Sequence, residues 1–544
     1  MTTSEATAPP LTPRKNLRDT LLDALRSLPG TREFHIHVLQ SSPRRNTFLY
    51  QFAKPRPRTY VQDLLVLLSE QTAPDGPRVL VTAIEANLYH IPSTASAILY
   101  VCKVDSTGQT TGGSANGRSP TKKLVQAFLE YYADPQTRPL DGVKNLWIQL
   151  FARAQGQYLF PNSAMWEGKK PLSDVKLCAW WKRVLAQVAL DIQKSTRSTI
   201  GSGDPATMGT TVKAYYILPG YSELEAEYSL KVISSDIPWQ YGHPYTLQEK
   251  STLPCPPDTA HTRNLGHYIP YFEDDPKSRF MDEIAYTTGG EVKSPVRKRA
   301  RTATSVDESR QREERDKDNG KEKEKEKDDR PLGELGKVTA DEFWERMSFR
   351  QECVAGAVTG FFTLVVSTKA DPVHVGKTVL SPLEPQTGQV SAQINKRVLT
   401  ALTTGVEFST AERAIKATET LENTIKRLCD GISSTGGQQH LHGGRSSTPE
   451  PRERSNSTLL VPPRTPPRND KQQVVIEVTP NPFPEPVASL ETYQSHIYGS
   501  VWVRNPEVEE RRLGGGKGEE KESPGVNGPV VTVLTARKKK KRGE

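Results

Sequence analysis

The chain has 544 residues, which is enough to bury one large core or two ordinary ones. Hydrophobic residues make up 35% of it, against roughly 45–50% in a typical globular domain, so part of the chain is not expected to fold. The formal net charge of +9 favours a polyanionic partner or a ligand that carries several negative charges.

Cysteine spacing and hydropathy argue against three further classes of protein. The five cysteines lie far apart, without a Cys-x-x-Cys pair or a histidine at metal-ligand spacing, so neither structural zinc nor a disulfide framework is expected. The amino terminus lacks the apolar core of a signal peptide, and no stretch of about 20 apolar residues occurs. We therefore expect a soluble, intracellular protein with reduced thiols and no membrane contact.

The amino-terminal half alternates between strand-like and helix-like patterns. Phe34, Ile36 and Val38 alternate with polar neighbours, and residues 97–104 form a continuous apolar run, and both patterns are typical of strands. Further strands are predicted at 146–152 and 213–218, and helices at 17–28, 121–132 and 173–190. The alternation predicts a mixed α/β domain.

A charged insert interrupts this predicted domain. Lysine, arginine, glutamate and aspartate dominate it and leave almost nothing apolar to pack, so we expect disorder over about 291–335. Thr339 and Glu342 then form a capping-box pattern ahead of an apolar segment. A helix and a strand should therefore pack back on the domain, which makes the insert a surface loop.

The carboxyl-terminal part begins with a second capping-box pattern, Ser409 with Glu412, ahead of a helix. The apolar stripe of this helix consists of Ile415, Leu421, Ile425 and Leu428. Such a stripe belongs either to the core or to a partner-binding face, and the core interpretation is favoured. One domain is thus predicted over 15–430, and a largely disordered basic tail over 431–544. Residues 474–478 and 496–503 are β-prone enough to add a strand.

Two short basic runs, at 295–301 and 537–542, lie in these flexible parts of the chain. Import receptors read dense basic runs of this kind, so a nuclear protein is predicted. The alternative is a solvated charged surface. The runs also add salt-dependent, sequence-independent attraction to DNA, which requires no base recognition.

Two segments of the domain suit a binding site. Residues 102–123 lead from a strand through a Ser/Thr/Gly-rich loop into a helix. Such a loop offers backbone N–H groups to a phosphate, and Arg118, Lys122 and Lys123 add positive charge. Residues 146–185 bring six aromatic side chains near Arg153, Lys169 and Lys170, which suits an apolar channel with a cationic mouth. The alternatives are a flexible loop and an aromatic core, and composition alone favours the core. Trp180 and Trp181 are adjacent on a helix, so one of them should point to a second surface or a cleft.

A third segment, 268–284, carries paired carboxylates among aromatic residues. Asp274 and Asp275 in such surroundings suit a general base. Asp275 also directly precedes Pro276, so the alternative is a helix N-cap followed by proline at the first helical position.

Four motifs occur in order along the chain: FARAQGQYLFPNSA, CAWW, FEDDPKSRF and FWERMSFRQECVAGAVTGFF. In order and spacing they resemble the fungal family of histone acetyltransferases named for regulation of Ty transposition, over most of residues 30–370. The resemblance implies a catalytic domain over 15–430 that is similar in fold to the CREB-binding-protein acetyltransferases. Such a domain has a central mixed sheet wrapped by helices, with acetyl-CoA in a deep channel and no metal.

The resemblance also implies which residues bind the cofactor. They are Val104, Asp105, Ser106, Gly117, Arg118, Ser119, Phe151, Arg153, Lys170, Pro171 and Trp180. Trp181 and Tyr158 would shape the channel for the acetyl group and the lysine, and Asp105 is counted among the catalytic residues as well.

The proton acceptor implied by the family is Asp275, preceded by Asp274. A base is needed because a lysine amine has an ordinary pKa of about 10.4 and must lose a proton before it attacks. Lys277 matches a lysine that the family acetylates on itself, and a buried acetyl-lysine avoids the cost of burying an ammonium.

The family acetylates histone H-three with H-four as its companion, chiefly at a lysine in the first helix near the point where DNA enters the nucleosome, and also at tail lysines. The implied mechanism is direct attack of the amine on the thioester, serving replication-coupled nucleosome assembly and genome stability. Histone chaperones of the anti-silencing-function and nucleosome-assembly types are the implied partners. The alternative is a non-enzymatic chromatin or nucleic-acid-binding scaffold, for which the basic runs would suffice.

Overall fold

The structure is a computed structural model that describes residues 15–110, 119–199, 209–230, 237–245, 253–256, 263–286, 333–350, 353, 357–368, 381–430 and 483–506. The helices are α1 (Leu17–Leu25), α2 (Pro120–Ala133), α3 (Asp174–Thr199), α4 (Glu223–Ser229), α5 (Pro276–Tyr286), α6 (Ala340–Met347), α7 (Ala392–Thr404) and α8 (Ala411–Cys429). The strands are β1 (Gly30–Gln40), β2 (Arg44–Asn46), β3 (Thr59–Gln71), β4 (Val79–Ile91), β5 (Ser96–Ser106), β6 (Asn145–Ala152), β7 (Thr210–Ile217), β8 (Trp239–Tyr241), β9 (Gly360–Thr368) and β10 (Tyr498–Asn505). Across these ranges no helix is both long and apolar enough to cross a bilayer.

The strands of the described part join one mixed sheet in the order β10-β1-β3-β4-β5-β6-β9-β7-β8, with β2 paired to β3 beside this path. The β5–β6 and β7–β8 pairs are parallel and the other pairs are antiparallel. Helices α1, α2 and α3 pack on one face of the sheet. Helices α5 and α6 cover one half of the opposite face and α7 and α8 cover the other half. The predicted mixed sheet wrapped by helices is confirmed.

Most predicted elements are present, with shifted ends. The N-cap half of the capping box before α6 is confirmed, since the Thr339 side chain accepts a hydrogen bond from the backbone N–H of Glu342 at 3.2 Å. The Glu342 carboxylate accepts from Arg346. The second capping prediction was one residue early: Thr410, not Ser409, caps α8 and accepts from the N–H of Arg413. The buried stripe of α8 packs in the core, so the core interpretation of that helix is confirmed.

A carboxyl-terminal segment, residues 483–506, returns to the sheet. Strand β10 pairs antiparallel with β1, from Gly30 opposite Asn505 to His37 opposite Tyr498. The predicted strand near 496–503 is therefore confirmed, and the fold extends past the predicted boundary at 430. The β-prone run at 474–478 lies outside the described residues.

Two buried histidines fasten this segment to β1. His35 Nδ1 lies 3.0 Å from the Tyr498 hydroxyl, and His37 Nε2 lies 3.1 Å from the Tyr493 hydroxyl. The two tyrosine rings stack with centroids 5.6 Å apart. Glu33, Arg78 and Glu422 are the charged groups around this cluster.

We expect acid to weaken this attachment. Burial lowers the pKa of His37 to about 4 and also lowers the pKa of His35. As pH falls, the two histidines therefore become protonated in the unfolded chain before they do in the folded protein. The free energy of unfolding is at its full value above about pH 6.5 and decreases as pH falls towards 4. By pH 5, His37 alone should cost about 2 kcal/mol of the free energy of unfolding. Urea unfolding at pH 7.5 and 5.0 measures this loss, and His37→Gln, which does not titrate, should lose about 2 kcal/mol less. An equal loss in both proteins would contradict the assignment.

Candidate active site

Two parallel strands separate in the middle of the sheet and open a cleft. Strands β5 and β6 are paired only as far as Val101 and Leu150, although β5 continues to Ser106 and β6 to Ala152. Over that length each strand is held on its outer side, β5 by β4 and β6 by β9. The inner backbone edges therefore face a gap, where N–H and C=O groups are available to a ligand.

A β-bulge accounts for the separation. Ala86 pairs with Val101 while Glu85 pairs with Lys103, so Cys102 has no partner on β4. An extra residue of this kind bends its strand and increases the local twist. The bend falls next to the residue at which β5 parts from β6.

A cavity of about 620 Å³ fills the cleft, and the segment after β6 and helix α3 supply its other walls. Of the residues predicted from the sequence, those that line it are Val104, Asp105, Ser106, Ser119, Phe151, Arg153, Tyr158, Lys170, Pro171, Trp180 and Trp181. Gly117 and Arg118 lie outside the described residues. The structure thus gathers the predicted cofactor set, as far as it is described, around one cavity.

Sequence reasoning missed two cationic side chains of this cavity, Lys103 and Arg183. Arg183 follows Leu177 and Trp180 at three-residue spacing on α3, and this helical spacing was a usable signal. Lys103 lies next to the bulge, and no sequence pattern predicts that it lines the cavity.

Positive charge dominates the cavity walls. The cationic lining residues are Lys103, Lys122, Arg153, Lys169, Lys170 and Arg183, against the single carboxylate of Asp105. Among the described residues, no carboxylate lies within ion-pair distance of Lys122, Arg153, Lys170 or Arg183. The cavity therefore suits a ligand with several negative charges.

Asp105 fastens the segment after β6 to β5. Its Oδ2 accepts hydrogen bonds from the backbone N–H groups of residues 158–160 at 2.8–3.1 Å. Its Oδ1 accepts from the N–H of Ser106 at 2.8 Å and from Lys169 Nζ at 2.9 Å. Lys169 Nζ also donates to Ser163 Oγ at 2.7 Å. With both oxygens hydrogen-bonded, the Asp105 carboxylate positions the cavity wall.

Tyr158 presents an uncharged ring to the cavity. Its hydroxyl donates to the carbonyl oxygen of Arg153 and accepts from the N–H of Gln155 at 3.0 Å. Burial raises the pKa of Tyr158 to about 12, so the hydroxyl keeps its proton at neutral pH.

The adjacent tryptophans of α3 both border the cavity. Their ring centroids lie 4.7 Å apart with an interplanar angle of 78°. Trp181 is buried in the core, whereas Trp180 is only partly buried. The cavity is thus the cleft that the adjacent tryptophans predict, and the less buried Trp180 faces it while Trp181 also packs in the core.

Asp274 and Asp275 are not among the cavity-lining residues. Asp274 is exposed, with a φ of 61°. Asp275 is buried, and its Oδ1 accepts from the N–H of Lys277 at 2.8 Å while its carbonyl accepts from the N–H of Ser278 at 3.0 Å. The helix-cap interpretation of Asp275, with Pro276 as the first residue of α5, is thus observed.

Asp275 also forms a buried ion pair. Its Oδ2 accepts from Lys277 Nζ and from the Tyr100 hydroxyl, each at 2.9 Å. Burial and the neighbouring carboxylate raise the pKa of Tyr100 well above its usual value, so this hydroxyl remains a donor. Tyr100 immediately precedes Val101, which lines the cavity, so Asp275 is connected to the cavity wall through one residue.

The cavity fits the cofactor that the sequence resemblance implies. Its volume lies within the range of about 300–1,000 Å³ usual for small-molecule sites. The unpaired cations suit the phosphates of CoA, the open strand edges suit the pantetheine amides, and the aromatic side chains suit its apolar parts. In the described ranges, no group of three or more His, Cys, Asp or Glu side chains is placed to hold a metal ion.

Comparison with known proteins agrees with these features. The sequence model of the KAT11-type histone acetyltransferase domain matches residues 117–424. The histone acetyltransferase rtt109 of Aspergillus flavus is 32% identical over 303 residues, which are 54% of this chain and 46% of that protein. The Schizosaccharomyces pombe protein of the same name is 26% identical over 336 residues, 61% of this chain and 68% of that protein.

The fold is shared with a solved structure. The crystal structure of Rtt109 from Aspergillus fumigatus superposes with a TM-score of 0.54 and 24% identity, covering 75% of this chain and 96% of that chain. This chain spans less than half of the Aspergillus flavus relative's length. The resemblance drawn from the four motifs is confirmed, and the chain belongs to the KAT11-type histone acetyltransferase family.

Proposed function

We propose that the chain is an enzyme that transfers an acetyl group from acetyl-CoA to lysine side chains of histone H-three. The observation that carries this proposal is the cavity between the diverging strands β5 and β6, with its unpaired cations and aromatic walls. A chromatin scaffold without catalysis has no need of such a cavity, and the basic runs alone do not require one.

Acetyl-CoA supplies an activated acetyl group as a thioester. Lys122, Arg153, Lys170 and Arg183 line the cavity and are assigned to its phosphates. Trp181 and Tyr158 form apolar walls that limit access of water to the reacting atoms. Asp105 acts indirectly, because its hydrogen bonds fix the wall that carries Tyr158.

The amine nitrogen attacks the thioester carbonyl carbon, the C–S bond breaks, and CoA leaves as its thiolate. The substrate amine must lose a proton in this step, and we assign that proton to Asp275. Both oxygens of Asp275 already accept hydrogen bonds. The hydrogen bond from Lys277 or the one from Tyr100 must therefore break before Asp275 can accept the substrate's proton. Asp274 is exposed beside Asp275 in sequence and is assigned no separate proton transfer.

Lys277 is the lysine that we propose the enzyme acetylates on itself. Its side chain is 4% exposed, and its ammonium has Asp275 as a partner and lies 4.7 Å from the centroid of the Phe361 ring. Acetylation would remove a buried positive charge and leave the Asp275 carboxylate with Tyr100 and a backbone N–H as partners.

We further propose histone H-three in complex with H-four as the substrate, with the first-helix lysine near the DNA as the main target and tail lysines as others. Histone chaperones of the anti-silencing-function and nucleosome-assembly types would present this complex. The basic runs at 295–301 and 537–542 support a nuclear location and weak contact with DNA.

Transfer of radiolabelled acetyl from acetyl-CoA to the H-three and H-four complex, with and without a chaperone, tests the proposal. We expect label on H-three and a higher rate with chaperone. Folded protein that binds acetyl-CoA but transfers nothing under either condition would leave the scaffold interpretation.

Direct transfer predicts that no cysteine carries the acetyl group. Cys102 lines the cavity, but burial raises the pKa of its thiol well above the usual value, which keeps it from acting as a nucleophile. We expect Cys102→Ser to retain kcat within about twofold, because the rate does not depend on a thiolate. Cys353→Ser, outside the cavity, is the matched control. A loss of a hundredfold or so at Cys102 alone, with acetyl on the wild-type thiol by mass spectrometry, would instead indicate an acyl-enzyme.

A further inference from the structure

An exposed apolar patch lies beyond α3. Helix α4 presents Leu224 and Tyr228, which are 78% and 86% exposed and four residues apart on one side of the helix. Phe349, just after α6, is 80% exposed. The neighbouring Ser348 Oγ accepts a hydrogen bond from the N–H of Gly220, in the turn before α4. We call Leu224, Tyr228 and Phe349 the α4 patch.

The charged side chains of α4 are all negative. Residues 218–230 contain no lysine or arginine, although the whole chain carries +9. Their acidic residues are Glu223, Glu225 and Glu227. Glu225 folds back on the N–H and hydroxyl of Ser222 at the helix cap. Glu223 is exposed and Glu227 is half-buried near Lys182, so these two carboxylates are the ones that can meet a partner. A basic partner fits this arrangement.

The patch is close to the cavity. Helix α4 packs on the same face of the sheet as α3, because Ala226 of α4 and Val184 and Leu185 of α3 belong to one buried cluster. Lys182 of α3 lies near Glu227, and its Nζ lies 3.9 Å from the centroid of the Tyr216 ring. The preceding residue, Trp181, lines the cavity, so α3 borders the cavity and also lies beside α4.

We propose that the α4 patch is a docking surface for a basic segment of the histone substrate. This inference rests on the proposed function. Leu224, Tyr228 and Phe349 take apolar side chains of the segment, and Glu223 and Glu227 attract its lysines and arginines. A histone offers both kinds of side chain next to the lysine that enters the cavity, so the patch adds affinity for the whole histone and not for a short lysine peptide.

The double variant Leu224→Ala/Tyr228→Ala tests this surface. Two lost apolar anchors should raise KM for the H-three and H-four complex by about tenfold. The kcat value, the KM for acetyl-CoA and the rate with a short lysine peptide should stay within about twofold. Phe48→Ala/Val487→Ala is the matched control, because both side chains are exposed, at 61% and 89%, and lie outside the patch.

Direct binding of fluorescently labelled H-three and H-four complex to the wild type and both variants separates docking from catalysis. Weaker binding by the patch variant alone supports docking even if wild-type protein transfers no acetyl. Unchanged binding and unchanged histone KM would overturn the proposal. A lower histone KM in the patch variant would also overturn it, because the patch would then hold the chain's own basic run at 295–301.

Discussion

The substitution Asp105→Asn should destabilise the protein by about 3–5 kcal/mol, because it removes the carboxylate of a buried ion pair and leaves the ammonium in place. Lys169 would keep its ammonium, 6% exposed, without a carboxylate partner. An asparagine amide also has only one oxygen, so it cannot accept hydrogen bonds from both groups of donors that now surround the carboxylate. If its oxygen accepts from residues 158–160, its NH₂ group points at the Lys169 ammonium and the N–H of Ser106, and the reverse orientation opposes donors to three backbone N–H groups.

Urea unfolding measures this cost, and isothermal titration with acetyl-CoA measures its effect on the cavity wall. The matched control is Glu85→Gln, which removes the carboxylate of the more exposed Glu85–Lys103 pair and should cost less than about 1 kcal/mol. Asp105→Asn combined with Lys169→Met should recover part of the loss, because no ammonium is then left unpaired. A cost at Asp105 no larger than at Glu85 would mean that the wall is held by other contacts.

The substitution Asp275→Asn should lower kcat by about a hundredfold or more, while the KM for acetyl-CoA changes little. The substitution nearly preserves the shape of the side chain and removes the carboxylate that we propose accepts the proton. It also leaves Lys277 without its carboxylate, so the free energy of unfolding should fall by about 3–5 kcal/mol. Activity must therefore be compared at a temperature where both proteins are folded.

Lys277→Gln separates the two roles of Asp275. This variant removes the ammonium, resembles the acetylated side chain, and keeps Asp275 with Tyr100 and a backbone N–H. If Asp275 accepts the proton, Lys277→Gln retains a pH-dependent kcat that Asp275→Asn loses. Equal losses of activity in both variants, each in proportion to lost stability, would leave Asp275 as a helix cap and ion-pair partner alone.

Sequence patterns were informative where each element has a local signature. The alternation at Phe34, Ile36 and Val38 and the capping pattern at Thr339 each gave an element that the structure contains. The two longest strands, β3 and β4, were not predicted although each has 13 residues. They are buried on both faces over much of their length, so they lack the alternation that marks a half-exposed strand.

The candidate site was predictable as a set of residues but not as a geometry. The motif resemblance gathered Arg153, Lys170 and Trp180 correctly around one cavity. It could not tell that Asp275 lies behind Tyr100 and outside the lining, because that depends on how α5 packs against β5. It also could not tell that the Asp105 carboxylate is fully occupied, since its partners come from a segment more than fifty residues later.

The bulge at Cys102 has a consequence for how such a protein can evolve or be redesigned. The cleft exists because β5 has one residue more than β4 needs, and this surplus is a matter of chain length and not of side-chain identity. Substitutions along 101–103 can therefore accumulate without closing the cleft. A single-codon deletion there would let β5 run flat beside β6 and remove the cavity in one step. Gaps in an alignment at this position should accordingly be a stronger sign of lost cofactor binding than any amino-acid replacement.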